Sequence, residues 1–194
     1  INGYTGLGPD KKRVPTLLDI AKSEGKSTGL INDHDVTNAT LAAFGGPVIN
    51  RDWKVAIAQK LIHNGKVDVL MGGNEKYWYP KGNPGKIPDK VEGEDESEGK
   101  TNLVAKAKSI GYQYAYDKKT VAALTGPKIL ALGQDSAKRR WEELPGYKYK
   151  KDPNYVPVKD MVTKALSVLG QNPNGFFLAM ESDDLDSAGH EHDV

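Results

Sequence analysis

The stretch VKDMVTKALSVLGQNPNGFFLAME, residues 158–181, decides the fold class. Its first half carries Val158, Met161, Val162, Ala165, Leu166 and Leu169 at the three- and four-residue spacing of one helix face. Asn172-Pro173-Asn174-Gly175 then breaks the helix, because proline cannot continue it and Asn-Gly favours a turn. Phe176 to Met180 follows as an unbroken apolar run of strand length. Such a run belongs to a strand covered on both faces, as in a parallel sheet flanked by helices.

The same alternation extends upstream. Val14 to Glu24 reads as a helix, with Val14, Leu17, Leu18 and Ala21 on one face, and Gly25 at its end. Thr28 to Ile31 reads as a short buried strand. Asp52 to His63 is a second helix with Asp52 as N-cap, ended by Asn64-Gly65, and Val67 to Met71 is an apolar strand closed by Gly72-Gly73. Thr101 is placed to cap a third helix carrying Leu103, Val104, Ala107 and Ile110. Gln113 to Tyr116 and Lys128 to Leu132 read as strands around a short helix at 118–124. The pattern predicts one α/β domain over residues 1–194, a three-layer α/β/α sandwich. Ligands of such sheets gather beyond the C-terminal ends of the strands. Residues 80–100 and 134–157 break the alternation and read as surface excursions.

Composition bounds the function. In 194 residues, 27 basic groups face 26 acidic ones, which gives no ground for a nucleic-acid or anionic-membrane partner. No apolar run is long enough to span a bilayer. Without cysteine the chain has no disulfides and no thiolate metal ligands. It opens at Ile1 and stops at Val194 inside a polar cluster, so both ends read as cut and a missing signal peptide carries no weight.

The densest chemistry follows the last strand: Glu181-Ser182-Asp183-Asp184-Leu185-Asp186-Ser187-Ala188-Gly189-His190. The strand delivers Glu181 at its C-terminal end. Asp186 and His190 are four apart, and one helical turn would put them on one face. Carboxylate oxygen with imidazole nitrogen is a partial set for zinc, and Glu181 suits a harder ion such as magnesium. Against this stands the plainer reading of a solvated acidic loop, and two ligands do not close a zinc site. Gly25-Lys26-Ser27 only imitates the end of a phosphate-binding loop: it follows a helix, and Ile20 stands where a glycine is required. His34 and His63 read as isolated surface or helix-end residues, and Trp141 as packing.

Three blocks together resemble the alkaline phosphatase family over nearly the whole chain. The first is Val14-Pro15-Thr16-Leu17-Leu18 with Gly25-Lys26-Ser27-Thr28-Gly29-Leu30. The second is Thr37-Asn38-Ala39-Thr40-Leu41-Ala42-Ala43-Phe44 with Asn50-Arg51-Asp52. The third is Asn172-Pro173, Gly175-Phe176-Phe177-Leu178, Glu181, Asp186 and Ala188-Gly189-His190. The resemblance implies an incomplete alkaline-phosphatase-like sandwich and a phosphate monoester hydrolase using two zinc ions and one magnesium. Thr40 and Glu181 match two magnesium ligands. Asn38 stands beside them where relatives carry Asp or His. Asp186 and His190 match two ligands of one zinc, and Arg51 matches the arginine that grips the substrate phosphate. Without the resemblance, the favoured readings are a surface salt bridge at a helix start for Arg51 and a helix or turn hydroxyl for Thr40.

The resemblance also implies absences. The family's serine nucleophile lies upstream of Ile1 and further zinc ligands lie downstream of Val194, so the 194 residues alone are expected to be inactive. Another segment or chain would complete the site. A homodimer and a periplasmic or secreted location are expected on the same ground. The chain departs from the family pattern at Asn32, Asp33 and Leu41, and at Ser182, Asp183 and Asp184, where small residues are usual. The alternative function is a non-catalytic metal- or partner-binding α/β domain derived from the family.

Overall fold

A computed structural model describes residues 3–80, 82, 83, 85, 86, 100–134 and 155–192. Most of both predicted excursions, with Trp141, lies outside the described residues. Five strands form one parallel sheet in the order β3-β4-β2-β1-β5. They are β1 (Ser27–Asp35), β2 (Val69–Gly73), β3 (Gln113–Ala115), β4 (Ile129–Gln134) and β5 (Phe176–Glu181). The helices are α1 (Leu17–Ser23), α2 (Ala39–Gly45), α3 (Lys54–Leu61), α4 (Leu103–Ser109), α5 (Lys118–Ala122), α6 (Val158–Leu169) and α7 (Asp183–Glu191).

Strand alternation builds two cores. Leu30, Leu70, Leu130 and Leu132 turn to one face and pack with Leu18, Leu41, Ile57, Leu61, Leu103 and Val104 from α1 to α4. Ile31, Val69, Met71, Ile129 and Ala131 turn to the other and pack with Val121 of α5 and Met161, Ala165 and Leu169 of α6. The central strands are therefore apolar on both faces, but β5, whose run is equally apolar, lies at the sheet edge with Phe176 and Met180 exposed and is not covered on both faces as read. The three-layer expectation holds.

Element boundaries shift where polar side chains intervene. The first helix starts at Leu17, three residues later than read, because Thr16 and Asp19 form a reciprocal capping box. Val14 and Leu17 lie exposed as a result. The second helix starts at Lys54: Asn50 Oδ1 accepts from the Asp52 amide at 2.9 Å and holds residues 50–52 in a turn. Asp52 is therefore not the cap. In α4 the cap is Asn102, whose Oδ1 accepts from the Ala105 amide at 2.8 Å, and not Thr101. The α6 helix occupies the residues read for it. Gly25 closes α1 at φ 70°, a left-handed conformation that suits glycine, so the helix-stop reading of Gly25-Lys26-Ser27 stands.

Asp19 also receives Arg13 at 2.5 Å and the Lys66 ammonium. Burial opposes its ionised form, but Lys66, the Thr16 amide and Arg13 together outweigh that and hold the carboxyl at about 2, below the ordinary 3.8. The folded state thus favours ionised Asp19. Its contribution is complete above pH 3.8 and is lost as pH falls toward 2. Asp19→Asn is expected to cost about 1–2 kcal/mol at neutral pH by denaturant unfolding. The gap to wild type should narrow across that acid window; a gap independent of pH would contradict the assignment.

Candidate metal and phosphate site

Strand register brings part of the predicted set together. Parallel pairing of β1 with β5 sets Asn32 opposite Glu181 at the C-terminal rim of the sheet. Beyond that rim, β1 runs on through Asn32, Asp33 and Asp35, all buried. Buried polar groups need partners, and these have them. Asn32 Nδ2 donates to Glu181 Oε2 at 2.7 Å. Asp33 accepts from Ser182 Oγ at 2.6 Å and from the Asp183 amide at 2.8 Å. Asp35 accepts from the Thr37 amide at 2.7 Å and lies 3.5 Å from Lys54 Nζ.

Of the predicted site residues, Thr40 and Glu181 are in direct contact: Thr40 Oγ1 donates to Glu181 Oε1 across 141 positions of sequence. Asn38, at the N-cap of α2, donates through Nδ2 to Asp183 Oδ1 at 3.1 Å and accepts from Lys54 Nζ at 2.8 Å. Asp186 and His190 share one face of α7, with Oδ2 and Nε2 3.6 Å apart, both exposed. Arg51 is exposed in the turn before α3, three residues from Lys54, and its amide donates to Gly3 O at 2.9 Å. No side-chain hydrogen bond or ion pair joins it to the carboxylates among the described residues.

Three participants escaped the sequence reading. Lys54 bridges Asp35 and Asn38, although nothing in its helical context marks it. The α2 helix itself went unread, being short and rich in Ala, with no charged residue to mark its ends. His34 is not an isolated surface residue: it is half-buried on β1, with Nδ1 3.3 Å from Asp183 Oδ2. His63, in contrast, lies exposed just past α3, as expected.

Negative charge accumulates at this rim. Burial pushes the Glu181 carboxyl above the ordinary glutamate range. The hydrogen bonds from Thr40 and Asn32 oppose that shift, while the carboxylates of Asp183 and Asp186 add to it. A cation between these groups would relieve both burial and repulsion. The Thr40 and Glu181 oxygens are hard donors of the type magnesium takes. Asp186 and His190 offer one oxygen and one nitrogen, which fit part of a zinc shell. No group of three His, Cys, Asp or Glu side chains is placed to hold a metal among the described residues. No helix among them is long and apolar enough to cross a membrane.

A family model described as alkaline phosphatase matches residues 1–194. Alkaline phosphatase 4 of Bacillus subtilis (strain 168) is 29% identical over 198 residues, covering 100% of this chain and 38% of the relative. The repressible alkaline phosphatase of Saccharomyces cerevisiae is 30% identical over 213 residues, covering 99% and 35%. Among solved structures, the Thermus thermophilus alkaline phosphatase superposes with a TM-score of 0.77 at 24% identity, over 100% of this chain and 37% of that one. The cold-active enzyme of Shewanella sp. gives 0.74 at 26%, over 98% and 40%. This chain thus spans less than half the length of these curated relatives. With a family model matched from the first residue to the last and a sheet that superposes on solved members, the chain belongs to the alkaline phosphatase family.

Proposed function

We propose that this chain is the part of a phosphate monoester hydrolase that holds the substrate phosphate through Arg51 and supplies ligands for magnesium and zinc. The observation that carries the reading is the contact of Thr40 with Glu181, which closes the β1–α2 turn onto the end of β5. Within it, Thr40 and Glu181 serve as magnesium ligands, with Asn38 beside them. Asp186 and His190 serve as half of one zinc shell. A relative of the same fold, a TAB5 alkaline phosphatase variant, is described as solved with Mg bound in its M3 site, which supports a metal-dependent reading. When bound, the metals supply Lewis-acid stabilisation of the charge that develops on the phosphoryl oxygens.

The chain's own residues perform positioning. Arg51 offers a planar fork of donors to two phosphate oxygens and offsets their charge. The Lys54 ammonium orients the Asn38 amide by binding its oxygen, which leaves Nδ2 to hold Asp183. Asn38 is neutral, so it would hold a metal-bound water less strongly than an acidic residue would. Asn32 and Thr40 fix both oxygens of Glu181, and Asp33 fixes the start of α7 through Ser182 and the Asp183 amide. The nucleophile is proposed to come from a segment outside these residues. A homodimer and a periplasmic or secreted location are proposed on family grounds alone.

The test compares the 194-residue chain with the full-length protein, both of verified mass, on a generic phosphate monoester with zinc and magnesium present. The full-length protein is expected to release phosphate and the 194-residue chain to release none. Turnover by the short chain that is abolished in its Arg51→Ala variant would contradict the reading that the nucleophile lies outside these residues.

A further inference from the structure

We propose that a second, basic cleft binds phosphate dianions, either free phosphate or the phosphoryl group of a small organic molecule. The cleft measures about 540 Å³ and is lined by Arg13, Lys22, Lys60, His63 and Lys66, with Asp19 its single lining carboxylate. That volume falls among small-molecule sites, roughly 300–1,000 Å³. Gly45 and Pro47 complete the wall and give it an apolar part. None of Asn38, Thr40, Arg51, Glu181, Asp186 or His190 lines it. It sits where α1 and α3 end and the chain approaches β2, toward the starts of β1 and β2, whereas the metal-site residues follow the ends of β1 and β5.

Its charges do not balance. Arg13 and Lys66 share the single carboxylate of Asp19. Lys22 is matched by Asp68 at 2.7 Å. Lys60 donates only to the Pro47 carbonyl and has no carboxylate partner among the described residues. Four cations against two carboxylates leave two positive charges in excess. Burial, and then the Arg13 charge, holds the Lys60 ammonium below the ordinary lysine range, a cost that an arriving anion would remove. A tetrahedral oxyanion carrying two negative charges matches the excess. Its several acceptors suit ammonium and guanidinium donors converging from different elements. A monocarboxylate would leave one charge unmatched.

The test records amide NMR shifts of the full-length protein during titration with inorganic phosphate, with phenylphosphonate, and with chloride at matched ionic strength. Saturable shifts are expected at Gly45, His63 and Lys66, with a Kd on the order of 1 mM, and none with chloride. Tighter binding of phenylphosphonate would identify an organic phosphoryl compound as the preferred source, and equal or tighter binding of phosphate would identify the free ion. Lys60→Gln should weaken binding about tenfold, the loss of one of two unmatched charges in a partly buried cleft. His63→Glu, an exposed change that spares the core, should abolish it. Arg51→Ala should leave these shifts intact, which separates this cleft from the metal site whatever that site's fate. Absence of saturable shifts, their survival in both cleft variants, or their loss in Arg51→Ala would overturn the proposal.

Discussion

Replacing Arg51 by alanine in the full-length protein is expected to lower kcat/KM for phosphate monoesters by about 10²–10³-fold, or about 2.7–4 kcal/mol of transition-state stabilisation. The expectation rests on what the side chain does not do in the fold. Arg51 is exposed and forms no side-chain hydrogen bond or ion pair among the described residues. Its structural tie is the amide bond to Gly3 O, which alanine keeps. Stability should therefore change by less than about 0.5 kcal/mol, as for ordinary surface substitutions. A catalytic loss with an unchanged melting curve would isolate the charge and donors of the guanidinium. Arg51→Lys should recover only part of the activity, because an ammonium restores charge but not the planar fork. Less than a threefold loss in steady-state kinetics of Arg51→Ala would remove the residue from the phosphate site.

The second large effect is on folding. Leu70→Ala is expected to destabilise the chain by about 2–5 kcal/mol in denaturant unfolding. Leu70 is fully buried on β2, the middle strand of the sheet, and pairs in register with Leu30 of β1 and Leu130 of β4. Truncation would open a cavity in the layer between the sheet and α1–α4, and three aligned strands leave little freedom to collapse into it. Leu166→Ala provides the control. Leu166 belongs to the apolar pattern of α6 but remains 43% exposed, so its truncation should cost less than about 1 kcal/mol. Equal losses at the two positions would contradict the two-core arrangement.

The contrast between these leucines shows what the sequence makes legible. Hydrophobic spacing locates α6 to the residue, because twelve residues of 3.6-fold periodicity end at a Gly-Gln-Asn-Pro break. It does not say which apolar residues lie deepest, since that depends on what packs opposite. β1 is longer than its apolar run because Asn32, Asp33 and Asp35 continue it while buried. Hydropathy ends the strand at Ile31; the hydrogen bonds that satisfy Asn32 and Asp33 come from residues about 149 positions away. Those partners are visible only once β1 and β5 are aligned. The same is true of Lys54 and His34, which carry no local signal for a site. Asp186 and His190 were legible as a pair because helical spacing alone sets them on one face. Only family resemblance groups Thr40, Asn38 and Arg51 with them in the sequence; the structure ties Thr40 to Glu181 and Asn38 to Asp183, and ties the Arg51 side chain to none of these carboxylates among the described residues.

On the proposed function, the turn after β1 and the segment after β5 form one cation-binding pocket. Anomalous-difference maps from crystals of the full-length protein grown with zinc and magnesium, collected above and below the zinc edge, test it most directly. A zinc peak within coordination distance of both Asp186 and His190, with magnesium density bridging Thr40 and Glu181, is the predicted result. Zinc bound elsewhere, with Asp186 and His190 turned to solvent and Glu181 held only by Thr40 and Asn32, would contradict it.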